Sequence, residues 1–88
     1  MINKKFWIGK KVLITGHTGF KGCWLSIWMK ILGAKIAGYS LDPITKKNFF
    51  DLAKLKKIFE IDQRKNIQDF KSLDSCIKKF RPSIIFHL

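Results

Sequence analysis

An open α/β sheet of parallel strands is the fold that this 88-residue sequence predicts, and three observations carry it. Short, wholly apolar or β-branched runs alternate with stretches whose apolar residues recur every three or four positions, the pattern of doubly buried strands separated by helices. A glycine-rich turn falls between the first such run and the first periodic stretch. Breakers stand where the elements should stop: Gly33, Asp42-Pro43 and Arg81-Pro82.

Val12-Leu13-Ile14, entered from Lys10-Lys11 and left through Thr15-Gly16, is the first strand. From Phe20 onward, Phe20, Trp24, Leu25, Trp28, Ile31 and Leu32 keep a helical period that Gly33 ends. Along this helix the stripe Trp24, Leu25 and Trp28 reads as core or helix-packing surface. Residues 35–41, with Ile36 and Tyr39, form a second strand. Residues 48–55 suit a short helix, and a third, weakly marked strand lies within 58–67. Asp69 is placed to N-cap a helix whose apolar residues are Phe70, Leu73, Ile77 and Phe80. Residues 83–88 read as a fourth strand. Right-handed crossovers then give the sheet order 3-2-1-4. This is the N-terminal half of a doubly wound Rossmann domain occupying 1–88, cut off after strand 4. A full domain continues with strands 5 and 6, so strand 4 is expected to present an uncovered edge and the isolated chain to fold marginally.

The composition is globular, with 47% hydrophobic and 27% charged residues. The net charge of +12 raises nucleic acid as a partner, but only two of the 18 basic residues are Arg, and the lysines are scattered as singles and pairs. A solvated lysine surface is the preferred reading, with no specific nucleic-acid partner. Cys23 and Cys76 have no metal-ligand or redox spacing, which fits a reducing compartment. No leader-like segment opens the chain, and its longest apolar run, 23–29, is far short of the ~20 residues that spanning needs. A cytoplasmic protein with no membrane partner is expected.

Gly16, Gly19 and Gly22 give the spacing G-x-x-G-x-x-G between a strand and a helix. In that context the first glycine permits a tight turn, the second admits a pyrophosphate close to the backbone, and the third lets the helix approach the sheet. The anion would rest on free N–H groups at the positive end of the helix dipole. His17 is read as a spacer beside the cofactor, Thr18 and Phe20 as part of the loop, and Lys21 as touching phosphate or solvated. Cys23 reads as a small packing residue and His87 as a buried core histidine on strand 4. Asp42, 20 residues past Gly22, is placed either to accept from the adenosine ribose hydroxyls or simply to open an Asp-Pro turn. The ribose contact is preferred. It favours NAD over NADP, because the carboxylate repels a 2′-phosphate and no Arg stands beside it to compensate.

These residues resemble a known family. The stretch 9–22, with its Gly-His-Thr-Gly-Phe-Lys-Gly core, followed by Trp24-Leu25 and Tyr39-Ser40-Leu41-Asp42-Pro43, is similar to the N-terminus of the CDP-glucose 4,6-dehydratases, extended short-chain dehydrogenases/reductases. The resemblance implies NAD as cofactor and, in a full-length enzyme, CDP-glucose as substrate: C4 of the sugar is oxidised, water leaves across C5 and C6, and the hydride returns to C6. It also implies that Asn66-Ile67-Gln68-Asp69 stands where the family has Asp-Ile-Arg-Asp, so that Asn66 and Ile67 meet the adenine. Tyr39 is the only tyrosine and Pro43 follows four positions later, so the family's Tyr-x-x-x-Lys pair is not in this stretch. The resemblance therefore assigns no catalytic residue here, and the family's homo-oligomer contacts lie elsewhere. An N-terminal cofactor-binding piece, inactive alone, is the preferred function. The alternatives are a self-standing nucleotide-binding or interaction module and a piece of another nucleotide-sugar epimerase or dehydratase.

Overall fold

The first strand becomes the centre of the molecule because its apolar residues have no polar face to offer water. In a computed structural model, which describes residues 4–88, β1 (Lys11–Thr15) lies between β2 (Lys35–Ser40) and β4 (Ile84–His87), with β3 (Phe59–Arg64) outside β2. All pairings are parallel and the order is β3-β2-β1-β4, as the sequence predicts. Residues 1–3 of the expected 1–88 domain lie outside the described residues.

Helices cover both faces. Val12 and Ile14 point toward α2 (Phe20–Ile31) and pack with Met29, Leu32, Ala34 and Ile36. Leu13 points the other way, onto Cys76 and Phe80 of α4 (Phe70–Phe80), together with Ala37 and Tyr39 of β2. The alternation along β1 thus builds two cores from one strand. A third, smaller cluster joins Cys23 to Phe50 and Leu55, which lie in a short helix, α3 (Phe49–Leu52), and a 3-10 turn at Leu55–Ile58. Asn48 caps α3 by accepting from the Asp51 N–H at 2.9 Å. Asp69 caps α4 by accepting from the Ser72 N–H at 3.1 Å. α4 ends at Arg81, whose φ of 55° reverses the chain into Pro82.

Three expectations change. A short helix, α1 (Lys4–Trp7), precedes the sheet, and its Trp7 stacks on Phe86 of β4 with ring centroids 6.4 Å apart. The stripe Trp24, Leu25 and Trp28, read as core or helix-packing surface, is not core: Trp24 and Trp28 are 46–53% exposed, with Trp24 packing on Phe49 of α3, and of the three only Leu25 packs against the core. The buried face is Gly22, Cys23, Ser26 and Met29, because the helix start is drawn down onto the glycine turn and only small side chains fit there. His87, expected in the core, is exposed at the end of β4. Of that strand's apolar residues, Ile85 is half exposed, while Ile84 and Phe86 pack partly against the α2 side of the sheet. No helix among the described residues is long and apolar enough to cross a membrane.

Candidate functional site

At the carboxyl ends of β1 and β2 the chain must turn sharply, and the residues that make this turn open a crevice. Gly16 leaves β1 with φ at 84°, a left-handed conformation in which an L side chain is strained, while its N–H bonds the Tyr39 carbonyl at 3.0 Å. Gly19 N–H returns to the Gly16 carbonyl at 3.2 Å and closes the turn. Gly22 packs so tightly beneath it that an added Cβ would overlap the Gly16 carbonyl oxygen. Gly19, the N-cap of α2, has no side chain to donate to, and the first turn of that helix contains no acid. Cys23 N–H bonds Gly19. The N–H groups of Phe20, Lys21 and Gly22 therefore take no partner among the described residues. That leaves three donors at the positive end of a 12-residue helix, a cradle that fits a pyrophosphate.

Two cavities flank the turn. The larger, about 480 Å³, is lined by Gly16, Thr18, Gly19, Phe20 and Asp42 among others, and so gathers five of the residues singled out from sequence. The smaller, about 180 Å³, is lined by Gly16, Tyr39, Lys65, Asn66, Ile67 and His87 among others. Gly16, Ser40 and Leu41 border both. In the wall of the smaller cavity Tyr39 donates from its hydroxyl to the Asn66 carbonyl at 3.0 Å. The Asn66 side-chain oxygen accepts from the Gln68 N–H at 2.9 Å. Thr18 ties the glycine turn to β2, donating to the Leu41 carbonyl at 2.8 Å. Thr15 Oγ1 lies 2.6 Å from His87 Nδ1.

His17 takes a different position from a spacer beside a ligand. Its side chain is wholly buried, lines neither cavity, and packs edge-on against Phe50 and Phe59 beneath Gly38. A Cβ at residue 38 would overlap the imidazole, so the glycine there is the complement of the histidine. His17 Nε2 donates to Asp62 Oδ1 at 2.6 Å, and Nδ1 has no hydrogen-bond partner among the described residues. Burial outweighs the attraction of Asp62 and holds the His17 pKa below its ordinary value, which favours the neutral imidazole. Burial alone would raise the Asp62 pKa, but hydrogen bonds from Arg64, His17 and Lys56 overcome it and hold the carboxyl well below the usual range. Lys21 is exposed and borders neither cavity. Burial pushes the Cys23 thiol pKa up, consistent with a packing residue.

Asp42 is where the structure adds most. The sequence places no arginine beside it, yet Arg64 Nη1 donates to Asp42 Oδ1 at 2.7 Å. Arg64 arrives from β3, whose register sets it opposite Ser40, two residues before Asp42. The premise that nothing offsets the Asp42 carboxylate is therefore corrected. Arg64 and Asp62 were absent from the sequence-derived site because their position depends on a strand whose register the sequence leaves open. The only available signal was a pair of opposite charges two residues apart, on one face of a strand.

Over all 88 of its residues the chain is 46% identical to a CDP-glucose 4,6-dehydratase from Salmonella typhimurium, and it spans 24% of that protein's length, its N-terminal part. No family model matches the chain.

Proposed function

We propose that this chain is the N-terminal, NAD-holding portion of a CDP-glucose 4,6-dehydratase-like enzyme, with 1–88 an incomplete cofactor-binding domain. The observation that carries this is the uncapped start of α2 on the glycine turn, facing a crevice bordered by Asp42 on one side and joined to the Asn66 cavity on the other. The N–H groups of Phe20, Lys21 and Gly22 hold the pyrophosphate, with Gly19 giving room for its approach. Asp42 accepts from the adenosine ribose hydroxyls. Asn66 and Ile67 lie against the adenine, the Ile67 N–H facing a ring nitrogen. NAD, when bound, supplies a reversible hydride acceptor for the C4 position of a nucleotide-bound sugar. This chain's residues bind and orient that acceptor. The acid, base and tyrosine chemistry of dehydration belongs to residues outside 1–88.

A graft tests the assignment. Residues 1–88 replace the corresponding N-terminal part of the Salmonella enzyme, and the purified chimera is given CDP-glucose and NAD. The expected result is formation of the 4-keto-6-deoxy sugar nucleotide. A folded chimera that turns over nothing would refute the proposal.

A further inference from the structure

Resting on that reading of the crevice, we infer that its ribose end also accepts a dinucleotide phosphorylated on the adenosine 2′-hydroxyl, NADP, with Arg64 as the anion receptor and Asp42 as a displaceable gate.

The two members of the pair are held very differently. Arg64 is fixed: Nε donates to Asp62 Oδ1 at 2.8 Å and Nη2 to Asp62 Oδ2 at 3.1 Å, and the guanidinium lies over the Phe50 ring at 4.8 Å. Asp62 is itself anchored by His17 and by Lys56 Nζ at 3.0 Å. This fork leaves Nη1 to donate to Asp42, the member of the pair that lines the larger cavity, so that Arg64 stands directly behind Asp42. The Asp42 side chain is 77% exposed, and its one ion-pair partner among the described residues is Arg64. An exposed pair of this kind is held weakly, so its carboxylate can turn into solvent without disturbing the fold.

The charge balance points the same way. Asp62 and Lys56 offset one another, and so do Arg64 and Asp42, so the cluster is neutral with a ribose that bears no phosphate. When Asp42 turns out, Arg64 regains an uncompensated positive charge at the site of the 2′-oxygen. A phosphate takes the place of one carboxylate on a receptor whose planar fork suits it. With NAD, Asp42 stays on Arg64 and uses its remaining lone pairs for the ribose hydroxyls. The crevice thus has one receptor for both ligands. In sites built around an acid alone, that acid repels the phosphate.

The test is calorimetric titration of the full 88-residue chain with NAD and with NADP, and of the variants Asp42→Ala, Arg64→Leu and Arg64→Lys, each checked for folding by circular dichroism. NADP is expected to bind the parent chain within tenfold of NAD. Asp42→Ala, which changes only an exposed side chain, is expected to shift the ratio at least tenfold toward NADP. Arg64→Leu is expected to weaken NADP at least tenfold more than it weakens NAD, and Arg64→Lys to keep part of the NADP affinity. Should Arg64→Leu fail to fold, Asp42→Ala and Arg64→Lys decide the matter. NAD binding with NADP more than tenfold weaker, or an Asp42→Ala ratio that does not move, overturns this inference and leaves the NAD site standing. Binding of neither dinucleotide overturns the site itself.

Discussion

His17 and Asp62 lie 45 positions apart in sequence yet form the shortest polar contact that the glycine turn makes with the sheet. Both titrate below their ordinary values in the folded chain, so the unfolded chain binds more protons in acid and stability rises with pH. The stabilisation from His17 neutrality is complete above its unfolded pKa of about 6.5 and is lost as pH falls through the lower folded value. That from Asp62 is complete above about 3.9 and is lost as pH falls further. The urea midpoint of the chain should therefore be level from pH 8 to 7 and decline from about 6.5 downward. A His17→Asn variant should lose the decline that begins below about pH 6.5. A midpoint that rises on acidification would mean that the histidine takes up its proton against Asp62 and is stabilised by it, contrary to the geometry.

At the scale of elements, the glycine turn, the Asp69 cap of α4 and the order of the strands were legible in the sequence, because turn, cap and strand signals are written in local chemistry. Three glycines at that spacing, an Asp before a periodic run and an apolar triplet between lysines have few other uses. The buried face of α2 was not legible. Its aromatics fall at core-like intervals, but the face that must approach the sheet is set by the turn beneath it, and that turn admits Gly22, Cys23 and Ser26 instead. Nor was Arg64, whose role depends on a bulged β3 register between Ile36 and Ala37. The inversion on α2 has a measurable consequence. Met29, 2% exposed within the core, should lose about 2–5 kcal/mol of stability on substitution by Ala. Ile31, 66% exposed, should tolerate Gln within about 0.5 kcal/mol. Chemical denaturation of the two variants checks this, and equal losses would contradict the placement.

At the scale of the whole molecule, a four-stranded sheet in the order 3-2-1-4 concentrates the ends of its two central strands, β1 and β2, beside the start of α2. This convergence is why a chain spanning 24% of its relative's length can bring the glycine turn and the two cavities that flank it to one edge of the sheet. Among the described residues β4 pairs only with β1, and its outer edge, beside the half-exposed Ile85, is open to a further strand. The proposed function stands on a pyrophosphate resting on the N–H groups of the glycine turn and the first turn of α2. An amide-resolved NMR titration of the 88-residue chain with NAD tests it most directly. Saturable shifts should concentrate at Gly16, Gly19, Phe20, Lys21 and Gly22, with a second group at Asn66 and Ile67. Shifts confined to the lysines at 54, 56 and 57, or no saturable shift from a folded chain, would contradict it.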